Sequence, residues 1–174
     1  MTTKDLTKIA LLVAMNCVSA YIIIPLPFSM SPLALQTLIV NLVALILPPK
    51  QAFMTMLVYL LLGLARVPVF TGGTAGPGKL FGPTGGYILA FLPAVFLMSW
   101  LKGKTYNFWR YVMVTVCVGI PVIYVLGVAQ MMALTGLGIK EAVVMGVLPF
   151  LLGDVVKGVG AAYIVRRIPT GSAR

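Results

Sequence analysis

Asp154 and Lys157 stand three residues apart, in Gly153-Asp154-Val-Val-Lys157, inside a stretch that is otherwise apolar. A charge at the centre of a membrane helix costs about 2.5–3.5 kcal/mol on insertion scales, so ionisable residues there mark functional sites by default. The i, i+3 spacing puts both side chains on one helix face, where they can converge on one cavity. A mutually neutralised pair that only holds helices together is the plain alternative. Buried ion pairs can often be replaced by apolar residues without loss of stability, so stability alone accounts poorly for this one. A carboxylate accepts N–H donors and an ammonium donates to carbonyl or carboxylate oxygens, which is the chemistry of recognising a small polar-headed solute. Pro149 lies one turn earlier, and a break there frees backbone carbonyls to face a cavity.

Other chemistries find no residues. The chain has no His, and Cys17 and Cys117 both sit in apolar runs with no CxxC spacing, so no metal site can be assembled and none is expected. With one buried carboxylate and no His, neither a nucleophile–base pair nor paired carboxylates exist, and no catalytic residue is assigned. Gly73-Thr-Ala-Gly-Pro-Gly78-Lys79-Leu80 nearly spells a phosphate-cradling loop, but Leu80 stands where Ser or Thr is needed and an apolar helix precedes it. Any ATP hydrolysis therefore belongs to other subunits.

The elements that must position Asp154 and Lys157 are membrane helices. Of the 174 residues, 60% are hydrophobic and 9% charged, with mean hydropathy +1.07; a water-facing surface needs roughly 25% charged residues. The net charge of +10, with only Asp5, Glu141 and Asp154 as acids, would suggest nucleic acid in a soluble protein. Here the basic residues lie at the ends of apolar runs, so lipid and membrane orientation account for them and no nucleic acid is expected. Lys4 and Lys8 before an apolar run, and Val18-Ser19-Ala20 after it, loosely resemble a signal peptide. Because the run continues through Tyr21-Ile22-Ile23-Ile24, it is expected to remain as a first helix. A single all-α membrane domain over 1–174 follows, with six helices near 6–24, 33–47, 51–65, 84–101, 111–134 and 141–165. Pro48-Pro49 separates the second from the third. Lys4, Lys8, Lys50, Lys102, Lys104, Arg110, Arg166, Arg167 and Arg174 then fall on one side, with only Arg66, Lys79 and Lys140 on the other, which places both termini in the cytoplasm. Trp100, Tyr106, Phe108, Trp109 and Tyr111 form an expected interfacial belt. Two outer segments stand out, Pro25 to Pro32 and the Gly-rich 67–83. The latter is either a flexible connector or a cap whose backbone approaches a ligand closely. Ala10 and Ala14 make a small-xxx-small pattern suited to close helix contact, within the chain or with another.

Val67-Pro-Val-Phe70-Thr-Gly-Gly73, Phe81-Gly-Pro-Thr-Gly-Gly-Tyr87, Pro149-Phe-Leu-Leu-Gly-Asp-Val-Val-Lys157 and Pro32-Leu-Ala-Leu-Gln36-Thr occur in this order. Together they resemble the signatures of the BioY family, the biotin-specific S components of energy-coupling factor (ECF) transporters. The resemblance covers nearly the whole chain. It implies a six-helix S-component fold in a prokaryotic plasma membrane, a pocket roofed by outer loops, and biotin as transported ligand with no cofactor. It also implies as partners a transmembrane coupling subunit, contacted through Ala10 and Ala14, and two cytoplasmic ATPases. Asp154 would accept from the ureido N–H groups and Lys157 would donate to the ureido carbonyl or to the valerate carboxylate, with Thr74, Tyr87, Gln36, Gly73, Phe70 and Lys79 as further binding candidates. Some members carry Arg directly after Gly-Gly-Tyr, where this chain has Ile88; Lys79 or Arg66 would then take the carboxylate. An S component for another small vitamin, or a ligand-free scaffold, are the alternatives.

Overall fold

Proline placement explains much of the element order in the computed structural model, which describes residues 2–24 and 33–168. The expected outer segment Pro25 to Pro32, and Arg174, lie outside the described residues. Helix α1 (Thr3–Ser19) opens on a capping box: Asp5 N–H donates to Thr2 Oγ1 at 3.3 Å and Thr2 N–H donates to Asp5 Oδ2 at 2.9 Å. It ends at Ser19 rather than Ile24. The β-branched Ile22–Ile24 run before Pro25 favours extended backbone, and β1 (Ile23–Ile24) pairs antiparallel with β2 (Leu33–Ala34), Ile23 opposite Ala34.

Helix α2 (Gln36–Ile46) and helix α3 (Pro49–Leu64) are separated as expected, with Pro48 at the N-cap and Pro49 as the first helical residue, where its missing N–H is harmless. The 67–83 segment is not a plain loop: Phe70 and Thr74 form a β-bridge, and Pro77–Leu80 make a single turn, α4.

The last three expected spans are each interrupted about one turn before a proline. Pro93 follows a break at Ala90 between α5 (Gly85–Leu89) and α6 (Phe91–Leu101). Pro121 follows a π-helical turn, Thr115–Gly119, between α7 (Phe108–Val114) and α8 (Ile120–Thr135). Pro149 follows a break at Val147 between α9 (Ile139–Gly146) and α10 (Leu148–Arg167). In each case the ring lacks an N–H and collides with the carbonyl four residues back, so the ladder must open there.

Helix α2 lies centrally, packed on α1, α3, α6 and α10, while α5 packs on α8. Its residues Ile39 to Leu45 are all buried, as befits a helix that is apolar on every face. The outer surface is apolar as well: Leu152 and Trp109 are 78% and 74% exposed, which suits lipid and not water. Among the described residues, Phe108–Thr135 and Leu148–Arg167 are long and apolar enough to cross a bilayer alone; Gln36–Ile46, Pro49–Leu64 and Gly85–Leu101 are shorter apolar helices. The expected aromatic belt is divided. Trp100 and Trp109 are exposed, whereas Tyr111 is buried with its ring 5.1 Å from that of Tyr106.

Candidate functional site

Three glycines bring α5 against its neighbours. A Cβ on Gly86 would lie 2.6 Å from the carbonyl oxygen of Leu126, one on Gly127 would lie 2.4 Å from the Tyr87 ring, and one on Gly146 would lie 2.3 Å from the Tyr87 hydroxyl. The Gly85-Gly86-Tyr87 motif is thus a packing device that seats Tyr87 between α8 and the α9–α10 break. Tyr87 donates to the Gly146 carbonyl at 3.0 Å, a group that the break around Val147 and Pro149 releases from the helix ladder.

Behind Tyr87 a cavity encloses about 670 Å³ including its open mouth, bounded by α2, α5, α8 and α10 and by Lys79 of α4. Ile88, Phe91, Ile123, Met131 and Phe150 supply apolar wall. The polar wall is built where α10 packs on α2. Asp154 Oδ1 accepts from Thr37 Oγ1 at 2.8 Å and from Lys157 Nζ at 3.0 Å, and Asp154 Oδ2 accepts from Tyr124 Oη at 2.7 Å. Lys157 Nζ also donates to the Ala34 carbonyl at 2.6 Å and to Thr37 Oγ1 at 3.0 Å.

Counting donors changes the chemistry assigned to this pair. The three ammonium protons of Lys157 are matched by three acceptors, so Lys157 neutralises and orients Asp154 and must release a partner before donating to a ligand. Asp154 Oδ2 keeps one acceptor site open, and the Tyr124 oxygen can accept while its proton serves Asp154. Together they suit a ligand that offers a neutral N–H donor to this edge. Thr37 and Tyr124 were not among the residues singled out from sequence. Tyr124 could have been, as a polar group in an apolar run, because such groups need partners.

Gln36 is buried and joins the cavity to the outer segment. Thr71 Oγ1 donates to Gln36 Oε1 at 3.0 Å, Gln36 Nε2 donates to the Tyr59 hydroxyl, and that hydroxyl donates to the Val69 carbonyl at 3.1 Å. Five of the eight binding candidates, Asp154, Lys157, Gln36, Tyr87 and Lys79, therefore border one cavity.

The other three do not line it. Phe70 is fully buried against Gly63 and stands edge-on to Tyr59, with ring centroids 5.7 Å apart. Gly73 adopts φ of +72° beside the Tyr21 ring, a turn conformation that suits glycine. Thr74 is exposed and donates to the Thr71 carbonyl at 3.0 Å. All three shape the segment that carries Thr71. Arg66 is exposed and absent from the cavity wall, while Ile88 is part of it. Ala10 and Ala14 lie on the exposed face of α1, opposite Ile9, Leu12, Val13 and Asn16, which are buried.

The family model described as "BioY family" matches residues 1–174. The chain is 38% identical over 168 residues to the "Probable biotin transporter BioY" of Pyrococcus horikoshii, covering 97% of this chain and 98% of that one. It is 39% identical over 159 residues to the "Biotin transporter BioY2" of Lactococcus lactis, covering 89% and 84%. Among solved structures it is similar to the "S-component for biotin from an ECF-type ABC transporter", with a TM-score of 0.88, 27% identity, and coverage of 96% of this chain and 93% of that one.

Proposed function

The chain belongs to the BioY family, and from that premise we propose that it captures biotin in the cavity beside Asp154 for uptake, as the S component of an ECF transporter. The observation that carries this reading is the polar wall. Asp154 Oδ2 and Tyr124 Oη, 2.7 Å apart, form a polar edge with open acceptor sites that suits one of the N–H groups of the ureido ring. Apolar walls suit the thiophane ring and aliphatic chain. The second N–H of Gln36 Nε2, without an acceptor among the described residues, is a donor for the ureido carbonyl.

On this reading the chain is a binding subunit and not an enzyme, and ATP hydrolysis resides on two partner ATPases acting through a coupling subunit. One domain of six spans, with both termini cytoplasmic, is the arrangement we favour: α1, α2, α3, α5–α6, α7–α8 and α9–α10. The side bearing Lys4, Lys8, Lys50, Lys104, Arg166 and Arg167 is then the cytoplasmic one.

The test is equilibrium binding of biotin to the purified chain in nanodiscs, beside Asp154→Asn and Tyr124→Phe. Saturable one-to-one binding is expected, weakened at least tenfold (about 1.4 kcal/mol) in Asp154→Asn and severalfold in Tyr124→Phe. A folded wild type that ignores biotin would overturn the ligand assignment. Specific binding of a different vitamin in that experiment would move the chain to another S-component specificity.

A further inference from the structure

Charge accounting in the cavity leaves one group over. Asp154 and Lys157 cancel at 3.0 Å, yet Lys79 also lines the cavity, from α4 on the opposite side of the chain order. Among the described residues its ammonium makes no hydrogen bond and no ion pair. It is half-buried, and that burial holds its pKa below the usual lysine range, the condition in which a counter-ion is most favourable. The cavity is therefore built with one net positive charge.

Lys79 is also held in place. Gln130 Nε2, on α8, donates to the Leu80 and Gly82 carbonyls, both at 2.8 Å, and so ties the end of α4 to the bundle. Gly85 permits this approach: a Cβ there would lie 1.8 Å from the Leu80 carbonyl oxygen. An ammonium carried on this tethered turn, without a partner among the described residues and beside an apolar wall, with a neutral polar edge elsewhere in the same cavity, fits a ligand that is anionic at one end. Its other end presents neutral N–H groups.

Resting on the biotin reading, we propose that Lys79 is the residue by which this chain selects the free carboxylate, with Gln130 positioning it through α4. The chain thus takes the acid and rejects amide-linked forms of the same ring. Arg66, exposed and off the cavity wall, has no part in this selection.

The experiment measures binding of biotin and of its primary carboxamide to the wild type and to Lys79→Met, Lys79→Arg, Gln130→Ala and Arg66→Met in nanodiscs. We expect the wild type to prefer the acid at least tenfold. Lys79→Met should lose that preference by weakening acid binding while leaving the amide within about twofold. Lys79→Arg should keep most of the preference, Gln130→Ala should reduce it, and Arg66→Met should leave it unchanged. Asp154→Asn should weaken acid and amide alike, which separates this role from that of the polar wall. A wild type that binds both forms equally, or a Lys79→Met chain that retains the wild-type ratio, overturns the proposal. Failure of wild type to bind biotin at all overturns the underlying ligand assignment and this inference with it.

Discussion

Gly63 and Phe70 compete for one volume: a Cβ at Gly63 would stand 2.0 Å from Phe70 Cζ. Phe70 in turn props Tyr59, whose hydroxyl links Gln36 to the Val69 carbonyl. Gly63→Ala is therefore expected to destabilise the chain by about 1–3 kcal/mol through overpacking and to loosen the wall at Gln36. Thermal unfolding in detergent should show a lowered midpoint and biotin titration a weaker affinity; an unchanged midpoint would contradict the account. Lys102 makes a similar residue-level point. From sequence it is one more cytoplasmic charge. In the structure it is buried and donates to the Ala44, Leu45 and Leu47 carbonyls at the end of α2. Those groups have no helical partner of their own, so Lys102→Met should cost about 1–3 kcal/mol, read by the same unfolding assay.

At the scale of elements, the end of α3 stores strain that can be removed. Arg66 has φ of +68°, its N–H donates to Gly63 O at 3.2 Å, and Val67 N–H donates to Leu62 O at 3.1 Å. This pair of bonds is a Schellman motif, in which glycine is the usual occupant of the left-handed position. Arg66→Gly should raise stability by about 1 kcal/mol and leave biotin affinity within twofold, since Arg66 is off the cavity wall. A destabilised Arg66→Gly would mean that the arginine side chain has a role not visible in its exposure. The interrupted spans follow the same logic: Pro93, Pro121 and Pro149 each open the ladder behind them, and the first and third openings border the cavity, through Ile88 and Phe91 and through Gly146.

For the whole molecule, the exposed alanine face of α1 gives a prediction that separates binding from transport. Ala10 and Ala14 are exposed and absent from the cavity lining, and small residues allow a partner helix to approach. On the proposal that this face meets a coupling subunit, Ala10→Leu with Ala14→Leu should leave biotin binding by the isolated chain within twofold. Uptake by cells producing the full transporter should fall at least tenfold. Equal losses in both assays would instead place the two alanines in the internal packing of the fold.

Composition alone settled that the chain turns apolar side chains outward, because too few charged residues exist to cover a water-facing surface. The i, i+3 spacing alone put Asp154 and Lys157 on one face. Proline positions mark where ladders must fail inside the expected spans, and the Ile22–Ile24 run before Pro25 leaves the helix because local sterics favour strand. What spacing could not supply was the identity of partners from distant segments. Thr37 lies 117 residues from Asp154, and Tyr124 lies 30 from it. Phe70, Gly73 and Thr74 stand in a distinctive motif, yet none of them lines the cavity: Phe70 packs on Gly63 and Tyr59, Gly73 supplies a turn, and Thr74 donates to the Thr71 carbonyl. Only tertiary packing decides which face of a loop meets the cavity, because that depends on the volumes and hydrogen bonds of neighbours far away in the chain.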